Sequence, residues 1–196
     1  MGRARSLLLL LSAALTTGEL QAQSAQAISV QVSGLYNGVY GNVFDNLQNG
    51  YGAEGQIRYT PGALSIGVGF QYTTHGLENR TEDTRLYGGF LEPRYRIHTG
   101  SNVLAPYLSA RLSLLKVGFS GGDLTLSSLF IQVNGGGGLL YRLGARLNLD
   151  VGATFGYNRL GNGTFRSKEF ETETRITSSD GSNLVLRVGF AVGLGG

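Results

Sequence analysis

Acidic and basic side chains recur at every second position within short apolar segments of the chain. The segment "AEGQIRY" places Glu54 and Arg58 on one parity, and "LEPRYRI" does the same for Glu92, Arg94 and Arg96. Residues two apart on a β-strand point to the same face. Carboxylates and guanidinium groups that share a buried face form charge-assisted hydrogen bonds. The spacing therefore predicts an ion-pair network on the inner side of a sheet.

Three later segments add charges on the same parity. We expect a network of five arginines and three carboxylates in a narrow space, with Glu92 and Glu54 as its hubs. Its predicted members are Glu54, Arg58, Glu92, Arg94, Arg96, Arg111, Asp150 and Arg187. The alternative is that these side chains are separately hydrated and merely fill space.

Other chemistry finds little support in the sequence. The chain has no cysteine and two histidines, of which His98 falls in a turn and His75 near the far end of a strand, close to Glu78. We therefore predict no catalytic residue, no cofactor and no dedicated metal site. The run "NGGGG" (134–138) precedes neither Gly-Lys-Ser/Thr nor a helix, so we interpret it as relieving crowding between strands. The net charge of +3 is spread along the chain, which argues against nucleic acid as a partner.

The elements that would position the charges are β-strands. In 64–73 one parity carries Leu, Ile, Val, Phe and Tyr, whereas the other carries Ser, Gly, Gln and Thr. This alternation, with turn residues between segments, predicts an all-β fold. The eight predicted strands are 28–40, 51–60, 64–73, 86–97, 103–116, 128–141, 146–157 and 184–194.

The connections between these strands alternate between short and long. Three are tight turns, and four are longer: 41–50, 74–85, 117–127 and 158–183. Such sorting is typical of outer-membrane barrels, with short periplasmic turns and longer external loops. We therefore predict an eight-stranded antiparallel up-and-down transmembrane β-barrel, its apolar parity facing lipid. The alternating "KEFETETRIT" in the last loop indicates that the seventh and eighth strands extend beyond the membrane as a hairpin.

Tyrosines provide an independent indication of the membrane boundaries. All ten fall near predicted strand ends, as expected for two interfacial girdles. Tyr107 lies on the inward parity, which either a bulge or an inward-pointing ring would explain.

The N-terminus is typical of an export signal. Arg3 and Arg5 precede an apolar run too short to cross a bilayer as a helix, and small residues follow. We predict a signal peptide over 1–27, cleaved after Ala22 or Ala27, and a barrel domain over 28–196.

With this architecture, the chain resembles the small eight-stranded outer-membrane barrels of the OmpA transmembrane domain and OmpX-like group. The C-terminal "RVGFAVGL" resembles their assembly signal, which would correspond to Arg187, Gly189, Val192 and Leu194. The resemblance implies a place in the outer membrane of a Gram-negative-type bacterium. It implies as partners outer-membrane lipids including lipopolysaccharide, the assembly machinery with periplasmic chaperones, and a cell-surface or host ligand. A peptidoglycan-binding domain is not expected.

Three functions follow as expectations. The first is a structural or surface-interaction role through four external loops, with a filled lumen, because eight strands leave room only for side chains. The second is a small-solute channel of the porin type. The third is a lipid A-modifying enzyme.

The signal-peptide hypothesis makes a direct prediction about the exported protein. Because cleavage follows a small residue, the mature chain should begin at Gln23 or Ile28. The intact mass of protein extracted from membranes checks this, and a chain that retains Met1 to Leu20 would contradict it.

Overall fold

The computed structural model describes residues 27–41, 44, 47–77, 83–121, 124–161, 163–167, 173–176 and 179–194, with the backbone alone for 119–121, 124–128, 163–167 and 173–176. The predicted signal peptide lies outside these residues, apart from Ala27. None of the described residues belongs to a helix long and apolar enough to cross a membrane.

Ten strands make up the structure. They are β1 (Ile28–Tyr40), β2 (Leu47–Tyr59), β3 (Leu64–Leu77), β4 (Asp83–Arg96), β5 (Leu104–Gly121), β6 (Leu124–Arg142), β7 (Leu147–Leu160), β8 (Gly163–Ser167), β9 (Glu173–Ile176) and β10 (Ser179–Leu194).

Eight of these strands close into a barrel. Strands β1 to β6 each pair antiparallel with the next, and β10 pairs with both β7 and β1. The closing pair runs from Ile28 opposite Leu194 to Tyr40 opposite Ser182. The predicted eight-stranded antiparallel up-and-down barrel is confirmed. Closure matters because every backbone N–H and C=O at the level of lipid must be paired within the protein.

The external end differs from the prediction because strands occupy part of each predicted long connection: β2 begins at Leu47, β3 extends to Leu77 and β4 begins at Asp83. Connection 117–127 is not a long loop, since β5 and β6 remain paired up to Gly121 opposite Leu124. The charged segment after β7 does form a hairpin, but it is β8 with β9, and β8 pairs with the extension of β6. Alternation alone predicted that these residues are strands, but not which neighbour they join.

Tyr107 points into the barrel. The β4–β5 register is the same on both sides of Pro93, from Leu91 opposite Leu112 to Arg94 opposite Ser109, so no bulge shifts it. The Tyr107 side chain is 2% exposed. Of the two explanations for its parity, the inward ring is therefore correct, and Tyr107 is not part of a girdle.

The barrel has its apolar surface outside and its polar surface inside. Val32, Ile57 and Val68 are each about 60% exposed, whereas Glu92 and Asp150 are fully buried. This arrangement would be unfavourable in water, because exposed apolar area costs roughly 25 cal/mol per Å². It suits a hydrocarbon solvent, in which an outward charge would cost about 2–4 kcal/mol at mid-membrane.

The lumen contains an apolar layer toward the external end of the barrel, where β1 ends and β2 begins. Val39, Phe44, Leu115 and Phe130 are buried there, with Leu47, Val117 and Leu160 packed around them. The Phe44 and Phe130 rings lie 5.6 Å apart between centroids. Polar side chains fill the lumen below this layer, toward the end with the short turns 60–63, 97–103 and 143–146.

Removing residues 187–196 should prevent closure, because β1 would lose eight of its thirteen pairs with β10 and β7 would lose six of its fourteen. The folded barrel should migrate as a compact, heat-modifiable species on gels, and the truncated chain should not. As a control, deletion of 164–175 removes only the β8–β9 hairpin and should preserve compact migration. A compact truncated species would show that β10 is not required for closure.

Candidate functional site: the ion layer of the lumen

Glu92 of β4 lies at the centre of a buried cluster that we name the ion layer. The ion layer consists of Glu54, Arg58, Glu92, Arg94, Arg111, Asp150 and Arg187. The Glu92 carboxylate contacts the guanidinium groups of all four arginines. Its Oε1 accepts from Arg58 Nη2 at 3.0 Å and from Arg94 Nε, and its Oε2 accepts from Arg187 Nη1 at 2.8 Å and from Arg111 Nε at 2.7 Å.

Asp150 of β7 forms a second acceptor centre. Its Oδ2 accepts from Arg94 Nη1 at 2.8 Å and from Gln31 Nε2 at 2.6 Å. Its Oδ1 accepts from the Tyr107 hydroxyl at 2.6 Å. The Tyr107 oxygen in turn accepts from Arg187 Nη2 at 3.0 Å. Because Arg187 also binds Glu92, the Tyr107 hydroxyl connects the Asp150 centre to the Glu92 centre.

Glu54 of β2 has fewer partners than the sequence suggested. It accepts from Arg111 Nη1 at 2.6 Å and contacts Arg187 Nη1 at 3.3 Å. Glu92 thus contacts four arginines and Glu54 only two.

Arg96 stands apart from the ion layer. Its side chain is half-buried at the short-turn end, where Nη2 donates to the Gly62 carbonyl oxygen at 2.6 Å. The ion layer therefore contains four arginines and three carboxylates, an excess of one positive charge. The sequence could not separate Arg96 from Arg94, because parity gives the face but not the depth of a side chain.

Small residues and aromatic rings position the long side chains. A Cβ at Gly152 would meet the Tyr107 hydroxyl at 2.7 Å and Arg187 Nη2 at 3.1 Å, so this glycine provides space for both groups. The Arg94 guanidinium carbon lies 4.4 Å from the Tyr107 ring centroid, and that of Arg111 lies 4.0 Å from the Phe90 ring centroid. Guanidinium groups stack favourably on aromatic faces.

A second polar cluster lies between the ion layer and the apolar layer, and sequence reasoning missed it. Asn134 Nδ2 donates to Asn183 Oδ1, and Asn183 Nδ2 donates to Asn37 Oδ1, each at 3.1 Å. His75 is fully buried beside them, with Nδ1 3.0 Å from the Gln48 carbonyl oxygen and Nε2 3.1 Å from Thr73 Oγ1. Inward parity was the available signal, because all of these residues share a face with the predicted charges.

The four residues assigned to the assembly signal divide between the two faces of β10. Arg187 joins the ion layer, and Gly189 faces inward against Ser33, where a Cβ would collide with its side chain. Val192 and Leu194 are exposed on the outer surface. Their role in assembly remains a prediction.

Comparisons with known proteins agree with this architecture. The sequence matches no protein-family model and no curated protein. Among solved structures, Neisserial surface protein A aligns with a TM-score of 0.63 and 21% identity, over 86% of this chain and 97% of that one. The chain has the fold of the small outer-membrane β-barrels.

Two further structures share this outer-membrane barrel fold. OprG, an outer membrane protein of Pseudomonas aeruginosa, aligns with a TM-score of 0.58 and 10% identity, over 91% of this chain and all of that one. Ail, the attachment invasion locus protein of Yersinia pestis, aligns with a TM-score of 0.54 and 15% identity, over 85% of this chain and 98% of that one. At such identities the likeness concerns the fold.

The contact between Gly152 and Tyr107 can be tested by a double-mutant cycle. Gly152→Ala should destabilise the barrel by about 1–3 kcal/mol, because the added methyl group overpacks the lumen against the Tyr107 hydroxyl. In a Tyr107→Phe background, Gly152→Ala should lower the unfolding free energy by a smaller amount, the difference being about 0.5 kcal/mol or more. Unfolding free energies from urea titration in lipid vesicles provide the measurement.

Gly135→Ala is the matched control for this cycle. Gly135 is exposed on β6, and a Cβ there would meet nothing within 4 Å. The control should change stability little in either background. Equal costs for Gly152→Ala with and without the hydroxyl would contradict the assigned contact.

Proposed function

We propose that this protein is an outer-membrane β-barrel of a Gram-negative-type bacterium, with a closed lumen and a structural or surface-interaction role at its external end. The observation that carries the proposal is the burial of the ion layer. Its seven residues are each at most 6% exposed, so charged side chains occupy the lumen at that level.

The outer surface supports the proposed location. Large apolar side chains are exposed along the strands, with tyrosines at both ends, such as Tyr59 and Tyr95 at the short-turn end and Tyr51 and Tyr157 at the other. Tyrosine favours membrane interfaces because its ring is apolar and its hydroxyl hydrogen-bonds to water. The proposed partners are outer-membrane lipids including lipopolysaccharide, together with the assembly machinery and periplasmic chaperones that would deliver such a chain.

The strands at the external end support a surface interaction. The β5–β6 pair continues beyond the apolar layer, and β8 and β9 extend the sheet from β6. Within the described part of the chain, β9 pairs only with β8, so its other edge can accept a further strand. A cell-surface or host ligand is the proposed partner there, as the name of the Yersinia pestis attachment invasion protein suggests for that protein.

We also propose that the protein is not an enzyme. A lipid-modifying barrel needs its catalytic histidine at the lipid boundary. His75 is instead fully buried on the lumen side, bound to Gln48 and Thr73. Glu78, the acid close to it in sequence, lies outside the described residues.

Planar-bilayer recordings distinguish the closed barrel from the small-solute channel. The wild-type protein should show little conductance, and Glu92→Gln should raise it. The variant leaves four arginines facing two carboxylates, so the leak should prefer anions. Glu92→Gln should also lower the unfolding free energy by about 3–5 kcal/mol, because buried guanidinium groups lose their partner.

Asp83→Asn is the matched control, since Asp83 is an exposed carboxylate on the same strand. This variant should resemble the wild type in both conductance and stability. Steady, large wild-type conductance would favour the channel, and an unchanged Glu92→Gln variant would show that Glu92 does not close the lumen.

A further inference from the structure

A polar cavity lies between the ion layer and the short-turn end of the barrel. Its volume is about 40 Å³. One buried water needs roughly 10–15 Å³ measured in the same way, so the cavity can hold several waters or one small ion. The residues that line it include Ser29, Arg58, Thr60, Ser65, Arg94 and Arg96.

The charged residues among those that line this cavity all have the same sign. Arg58, Arg94 and Arg96 contribute guanidinium groups to its wall, and no carboxylate lines it. The carboxylates of the ion layer do not neutralise these groups completely, because that layer already contains four arginines for three acids. The cavity is therefore a site of positive potential within a protein of low net charge.

Two of the arginines that line this cavity each have one buried guanidinium nitrogen with unused hydrogen-bonding capacity. Arg94 Nη2 and Arg58 Nε have no acceptor among the described residues, although the two side chains are only 2% and 6% exposed. A buried donor without an acceptor costs about 1–3 kcal/mol, and more when it is charged. These two nitrogens can therefore donate to an acceptor other than those among the described residues.

We propose that this cavity is a binding site for a small oxyanion of the phosphate class. Guanidinium groups match phosphate oxygens in geometry and charge. The Ser65 hydroxyl accepts from Arg58 Nη1 at 3.1 Å, which leaves its own proton free to donate to the anion. The half-buried residues Ser29, Thr60 and Arg96 form the mouth, so the anion enters from the short-turn end.

Binding is tested on the full mature barrel, refolded in a neutral detergent free of phospholipid. Inorganic phosphate is titrated at constant ionic strength and followed by ³¹P NMR line broadening. The wild type should bind saturably, and Arg96→Gln should weaken binding at least tenfold. Arg96 lies outside the ion layer, so this variant should still fold. Thr60→Val provides a second, uncharged change at the mouth and should weaken binding severalfold.

Arg146→Gln is the matched control. Arg146 is exposed in a turn at the same end of the barrel and does not line the cavity. It should bind phosphate as the wild type does. Saturable binding that is lost in Arg96→Gln and kept in Arg146→Gln supports the site. An absence of saturable wild-type binding, or an equal loss in both arginine variants, would overturn it.

The natural phosphate could be a free ion or a phospholipid headgroup in the adjacent leaflet. Dimethyl phosphate is a diester like such a headgroup, and it is titrated in parallel. Tighter binding of the diester would identify the headgroup as the source, and tighter binding of inorganic phosphate would identify the free ion. Either result, with the same dependence on Arg96, supports the site.

Discussion

The burial of one carboxylate surrounded by four guanidinium groups constrains the whole interior of this barrel. Removing a charge from water costs several kcal/mol even after relaxation, and only close, well-oriented partners repay that cost. Glu92 meets this condition through Arg58, Arg94, Arg111 and Arg187, which come from three other strands as well as its own. The register of β2, β4, β5 and β10 must therefore be correct for any of these charges to be tolerated.

Crowding is the second constraint on the lumen. An eight-stranded barrel encloses a space that side chains fill, so each large inward group needs a small neighbour. Tyr107 extends toward Gly138 and Gly152, which lie opposite each other on β6 and β7. The glycines of "NGGGG" are thus part of the packing of the ion layer. The inward-facing Gly138 leaves space for the Tyr107 ring, whose hydroxyl connects Asp150 to Arg187.

The sequence predicts well which face of the sheet each side chain occupies, and poorly how far along the lumen that side chain lies. A period of two is enough to place Glu54, Arg111 and Asp150 on the inner face, since a charge on the other parity would lie in lipid. The partners of each charge depend on the stagger of neighbouring strands, which alternation does not encode. For this reason the sequence does not distinguish the depth of Arg96 from that of Arg94, or the number of partners of Glu54 from that of Glu92. The asparagine cluster beside His75 has the same inward parity as the ion layer but no charge, so the sequence does not mark it as a site.

The pairing of β10 with β1 has a kinetic consequence. It joins Ile28 to Leu194, so the contact that closes the barrel spans nearly the whole described chain. Contacts of such high sequence separation form slowly, because the entropy of closing the loop is lost before the contact can stabilise anything. Arg187 lies on this last strand, and Glu92 gains its fourth guanidinium group only when that strand docks. Glu92 and Glu54 therefore lack their Arg187 contacts in every form in which β10 has not docked, which couples these ion pairs to the final docking step.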